Sequence, residues 1–223
     1  MNTLLYISIF ILLLCMPCSA EARKKQTPPV ELKALTVEHL DNPLGIDTPT
    51  PRFSWKSYSK KNDVCQLSYH ILVASSREKL DANEGDLWDS GEVLSARQLW
   101  IEYQGKPLKS NQHAYWKVRI TTNAGTSAWS SPASFSVGLL SESRWGGRWI
   151  GMESMAEGEQ RGVHTRMAAR YLRKEFQLKS GNIRRATAFI AGLGLYRLYI
   201  NGKEVGADDV LKPVPSDYRK TIY

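Results

Sequence analysis

The chain has 223 residues, 42% of them hydrophobic and 23% charged, with a formal net charge of +8. That balance excludes a wholly disordered chain and leaves room for two domains of ordinary size. The basic residues are scattered as Arg23-Lys24-Lys25, Lys60-Lys61, Arg173-Lys174 and Arg184-Arg185. Without a continuous basic helix or a stacking motif, no nucleic-acid partner is expected.

Residues 1–20, "MNTLLYISIFILLLCMPCSA", carry an apolar core from Leu4 to Leu14, too short to cross a bilayer comfortably. Cys18 and Ala20 put small residues where a cleavage site needs them, and charged chain follows. The segment reads as a secretory signal peptide, although no Lys or Arg precedes the apolar run; an uncleaved anchor is the alternative. Its removal leaves no membrane span, in an exported protein of the periplasm, cell envelope or medium. Only Cys65 then remains of three cysteines, so no internal disulfide can form. Beside "QLSYHILVAS", Cys65 is expected to be a buried structural thiol.

Residues 21–29, "EARKKQTPP", form a linker. Seven strand-like runs follow within residues 30–138: "VELKALTVE", "PRFSWKSYS", "QLSYHILVASS", "DLWDSGEV", "QLWIEYQ", "HAYWKVRITT" and "ASFSVG". The period of two places Phe53 with Trp55, Leu67 with Tyr69, Ile71 and Val73, and Trp116 with Val118 and Ile120. Such short strands, broken by turns such as Asn123-Ala124-Gly125, predict a fibronectin- or immunoglobulin-like β-sandwich. "SREKLDANEGD" could hold one helical turn but not a packing helix. Residues 139–169 read as a bridge, whose Trp145 and Trp149 are expected to pack between domains, and a long polar loop.

A second β-rich unit spans residues 170–223. "RYLRKEFQL" alternates, and "YRLYINGKEVG" turns at Asn201-Gly202, a strong two-residue hairpin signal. Pairing Ile200 with Lys203, Tyr199 with Glu204 and Leu198 with Val205 puts Leu198, Val205, Ile200 and Tyr196 on one face, expected to be buried. Arg197 and Tyr199 lie opposite. The unit ends at "KTIY", within a strand-like run, so a truncated or partial reading frame is expected.

Chemistry is hard to find. His39, His70, His113 and His164 show no metal-ligand spacing, and no phosphate loop or nucleophile elbow occurs. Asp86, Asp89 and Glu92 bunch in "DLWDSGE" without the ordered ligands of a calcium loop; Trp88 among them reads as a core anchor. Asp208-Asp209 would point to opposite faces of a strand, unlike a glycosidase carboxylate pair. Trp100, Tyr103, Trp129, Tyr218 and Tyr223 could stack on sugar rings if exposed. No catalytic, cofactor-binding or metal residue is assigned, and no cofactor is expected.

"NPLGIDTPTPRFSW", "LWDSGEV", "YWKVRITTNAGTSAWS" and "WGGRWIG" occur in this order, followed by "YLRKEFQL", "ATAFIAGLGLYRLYINGKEVG" and "DVLKPVPSDYRKTIY". The series resembles the N-terminal region of bacterial α-L-rhamnosidases over residues 30–223. One departure is Pro213-Val214-Pro215-Ser216-Asp217-Tyr218, where many relatives have Pro-Gly-Trp-Thr-Asp-Tyr. The resemblance implies an all-β chain: a fibronectin-like sandwich followed by the first, incomplete part of a galactose-binding-like jelly roll. It also implies that a large helical barrel, absent from these residues, carries the acid and base carboxylates for inverting hydrolysis of terminal α-L-rhamnose. The partners implied are a rhamnose-containing glycan, met through that barrel, and the barrel itself as a packing surface. A stand-alone carbohydrate-binding or protein-interaction sandwich is the alternative.

Overall fold

The computed structural model describes residues 30–141, 145–151, 158, 169–178, 181–183, 185–192 and 196–206. The signal segment, the linker, His164, Asp208-Asp209, Tyr218, Tyr223 and most of the polar loop lie outside these. The chain divides into two compact units, residues 1–141 and 142–223.

In the first unit, β1 (Glu31–Val37), β2 (Arg52–Tyr58) and β6 (Ile101–Glu102) form one antiparallel sheet in the order β1-β2-β6. The second sheet is built on the long pair β3 (Gln66–Ala74) and β7 (His113–Thr122). β4 (Trp88–Asp89) and β5 (Val93–Leu94) pair with β3; β8 (Gly125–Thr126) and β9 (Ala133–Ser136) pair with β7. Each of the seven runs contributes a strand. The core lies between the sheets, where Phe53 packs 4.7 Å from Trp116 and 5.7 Å from Phe135, and Trp55 meets Tyr69 edge-on. Alternation put these side chains on inward faces, and burial of several large aromatics supplies much of the driving force.

Two bulges correct the simple alternation. In β1 the apolar phase changes from Val30 and Leu32 to Leu35 and Val37, yet all four are buried. Trp55 alone faces the two residues inserted between the Lys33–Lys56 and Thr36–Ser54 pairs, and Ala34 takes φ +49 there. In β3 the register slips between Gln66 and Ser68. Leu67, expected inside with Tyr69, is instead 53% exposed, and Gln66 is buried. The Gln66 amide answers a polar need: its Oε1 accepts from the Trp55 indole at 3.3 Å, and its Nε2 donates to the Ser95 and Arg97 carbonyls. A leucine there would leave a buried indole N–H unpaired.

Cys65, expected to be buried, is exposed. It sits one residue before β3, where its backbone N–H donates to Asn123 Oδ1 and its side chain stays outside the sandwich. The short helix α1 (Arg77–Asp81) overturns another expectation, because Leu80 is fully buried against Leu72 and Ala74 on the outer face of β3. Ser76 caps this helix by accepting from the Lys79 N–H. One turn suffices because the sheet beneath it supplies the apolar partners.

In the second unit the described strands are β10 (Tyr199–Ile200) and β11 (Lys203–Glu204), paired in the expected register, with Val205 N–H donating to the Leu198 carbonyl. Asn201 and Gly202 have φ +51 and +76, as a tight right-twisted hairpin requires. The face expected to be buried is not: Ile200 and Val205 are exposed, and Tyr196 and Leu198 are half-buried. Among the described residues the sheet of this unit consists of these two strands, too little area to cover either face. Residues 171–178 pair with no strand among the described residues, and Phe176 is 73% exposed. Trp149 of the bridge is 65% exposed, against the expectation that it packs away.

Candidate functional site

The carboxylates of "DLWDSGE" are held apart by separate protein donors. Burial pushes the Asp86 carboxyl up, but Lys79 Nζ at 2.7 Å and the Ser75 N–H and hydroxyl outweigh it and bring it down to about 2. Asp89 contacts His70 Nε2 at 2.6 Å and accepts from the Gly91 N–H; those bonds overcome its own burial and lower its pKa. Glu92 accepts from the Ser68 and Thr121 hydroxyls, which lower its pKa as well. Each carboxylate is therefore charged and engaged, which suits structure rather than proton transfer. Among the described residues, no group of three or more His, Cys, Asp and Glu side chains is placed to hold a metal ion.

The aromatic candidates separate by burial. Tyr103 is core, its hydroxyl donating toward the Leu87 and Lys106 carbonyls and pushed up to about 12 by burial. Trp129 is half-buried on the outer face of β7, under two cations: Arg119 Cζ lies 4.7 Å and Lys117 Nζ 5.0 Å from its ring. His70 meets the same indole edge-on at 5.1 Å. Lys117 is itself buried, with Nζ donating to the Leu80 carbonyl and Asn83 Oδ1. Trp129 is thus engaged by two cations and by the edge of an imidazole.

Trp100 differs. It is 52% exposed and lines an open groove of about 830 Å³ between the outer half of β2 and the segment 96–100. Trp55, Lys56, Tyr58, Arg97 and Gln98 are among the groove's other lining residues. The segment is tied to β2 by the Trp55 N–H on the Gln98 carbonyl and by the Ser57–Gln98 side-chain bonds. Trp100 has φ +56, a left-handed conformation that costs a bulky residue about 1–3 kcal/mol. Three residues hold it there. Its N–H donates to Ser54 Oγ at 3.1 Å, Arg97 Nη2 donates to its carbonyl at 3.0 Å, and the Arg52 guanidinium lies 5.6 Å from its ring. Arg52 is fixed in turn by Glu38, whose pKa it lowers. His39 packs edge-on against the same indole.

Sequence reasoning named Trp100 but not Tyr58, Lys56, Arg97 or Gln98. The two walls are some forty positions apart in sequence, and no periodicity links a strand end to an irregular segment.

Comparison with known proteins follows the same two-unit division. Residues 32–141 match the family described as the Rha78A-like, N-terminal immunoglobulin domain, and residues 181–223 match the α-L-rhamnosidase N-terminal domain. An α-L-rhamnosidase of Formosa agariphila is 36% identical over 100% of this chain and 24% of its own length. One from an Alteromonas species is 32% identical over 97% of this chain and 23% of its own length. The chain thus spans about a quarter of these relatives. Among solved structures, the α-L-rhamnosidase of Dictyoglumus thermophilum superposes with TM-score 0.52 at 37% identity, over 57% of this chain and 14% of that one. The Streptomyces avermitilis enzyme complexed with L-rhamnose gives 0.52 at 36% identity, over 55% of this chain and 12% of that one. Two N-terminal domain families in the right order, on an all-β chain with an immunoglobulin-like sandwich, place this chain in the N-terminal region of the α-L-rhamnosidase family.

Proposed function

We propose that the chain is the exported, non-catalytic N-terminal part of an α-L-rhamnosidase that hydrolyses terminal α-L-rhamnose from glycans or glycosides with inversion. The observation that carries this reading is the paired match of residues 32–141 and 181–223 to two consecutive N-terminal domain families. In inverting hydrolysis one carboxylic acid protonates the leaving oxygen while a second carboxylate activates water across the ring. Both belong to a catalytic domain beyond these residues, and the carboxylates described above already have structural partners. The chain's own contribution is to scaffold that domain through a packing surface. The division into a signal peptide (1–20), linker (21–29), first sandwich (30–138), bridge (139–169) and start of a second sandwich (170–223) belongs to the same proposal.

An antibody to the first sandwich, used on cell-envelope and culture-medium fractions, tests this reading. The expected result is a species far larger than 25.2 kDa that begins at Glu21 and releases rhamnose from an aryl rhamnoside after immunoprecipitation. A native species close to the size of this chain, inactive in that assay, overturns it.

A further inference from the structure

The groove at Trp100 brings an exposed indole together with polar and cationic side chains. An exposed indole held in a strained backbone by Ser54, Arg97 and Arg52 is an ordered aromatic platform rather than a loose surface side chain. The groove is open to solvent, and its volume of about 830 Å³ leaves room for a saccharide ring. The charged residues among its lining are Lys56 and Arg97, and no carboxylate lines it. Gln98 and Ser57 add amide and hydroxyl groups that can donate or accept. Just outside the lining, Lys33 Nζ sits 5.5 Å from the Tyr58 ring and is paired with Glu31, while Arg52 is paired with Glu38. Those two cations are neutralised locally; Lys56 and Arg97 are left to set the sign of the groove.

We propose that this groove binds an acidic saccharide, with a pyranose ring stacked on Trp100 and its carboxylate or sulfate directed to Lys56 and Arg97. A sugar ring combines an apolar C–H face, which suits an indole, with a polar rim, which suits the amide and hydroxyl groups of Gln98 and Ser57. The anionic group answers the two cations, and a guanidinium matches a planar carboxylate or a sulfate in a bidentate manner. An acidic peptide would satisfy the cations but has no ring for the platform. The site lies on the first sandwich, so it is independent of the hydrolase reading above and of any catalytic domain.

The test uses the whole 223-residue chain, with tryptophan fluorescence and calorimetry as readouts. The probes are oligogalacturonate, dextran sulfate, a neutral glucan and poly-glutamate. The expected result is saturable binding of oligogalacturonate, dextran sulfate or both, with the two arms telling carboxylate from sulfate recognition. Neutral glucan and poly-glutamate are expected to bind at least tenfold more weakly. Trp100→Ala is expected to weaken binding at least tenfold at both 0.05 M and 0.5 M NaCl. Arg97→Glu and Lys56→Glu, at exposed positions, are expected to weaken it several-fold or more. Circular dichroism shows whether each variant is folded; should Trp100→Ala unfold the sandwich, Tyr58→Ala replaces it. Binding unchanged in the folded aromatic variant and abolished by 0.5 M salt reveals general attraction to a basic chain and overturns the proposal. So does the absence of saturable binding, equal binding of poly-glutamate or of neutral glucan, or full affinity in both charge reversals.

Discussion

At the scale of single residues, polar side chains tie separate segments of the sandwich together. Asp86 is the clearest. It joins the loop before β4 to Ser75 at the end of β3 and to Lys79 of α1, so one carboxylate closes the strand–helix–strand turn. Its folded pKa of about 2 lies below the ordinary 3.8, and a carboxylate with a depressed folded pKa stabilises the fold above its unfolded value. That contribution fades as pH falls from about 4 toward 2. A shift of nearly two units corresponds to about 2.5 kcal/mol at most, and solvent at this partly exposed pair reduces it to about 1 kcal/mol. Asp86→Asn is therefore expected to lose about 1 kcal/mol at pH 6 and to match the parent near pH 2. Urea unfolding at the two pH values reads the difference directly, and an equal loss at both would show that the bond geometry, not the charge, matters.

At the scale of elements, period-two patterning revealed which strands exist and which faces of β2 and β7 point inward, because large apolar side chains on one face leave little choice of register. It also revealed the hairpin pairing, since Asn201-Gly202 fixes the turn. Other features had no such signal. The inward turn of Gln66 depends on a tryptophan eleven positions earlier, and the packing of α1 depends on Leu72 and Ala74 in a neighbouring strand. The groove unites β2 with a segment that has no regular structure. The β1 bulge is an intermediate case: the phase change between Leu32 and Leu35 is written in the sequence, although strict alternation overlooks it. This supports an unusual expectation. Deleting Ala34, exposed and at φ +49, joins Val30, Leu32, Leu35 and Val37 into one uninterrupted alternation and places Leu35 alone opposite Trp55. The deletion is expected to change stability by less than about 1 kcal/mol, because it removes strain without moving an apolar group. Deleting Thr36 makes Leu35 and Val37 neighbours on opposite faces, which expels one of them at a loss of about 1.5–3 kcal/mol. Urea midpoints of the two deletions, measured side by side, separate the outcomes, and similar losses would show that the bulge itself is required.

At the scale of the whole chain, the two units differ in kind. The first has a continuous core in which Phe53, Trp55, Trp116 and Phe135 are sealed from solvent. In the second, Tyr171, Phe176, Leu178 and Ile183 stand exposed, as do both strands of its hairpin. Local opening is least costly where few apolar contacts must break, so the second unit is expected to open far more often than the first. Proteolysis of the opened form follows that population when opening is fast relative to cleavage. Trypsin has sites in both units, including Lys60-Lys61 in the first and Arg173-Lys174 in the second, so sequence alone does not bias the cut. Brief digestion of the purified chain is expected to remove residues after 141 first and to leave a resistant fragment spanning residues 30–141. Mass spectrometry of the time course identifies the fragment. Equal survival of Arg173-Lys174 would mean that the second unit buries its aromatic side chains in solution, and it would then have to be treated as a folded domain with a core of its own.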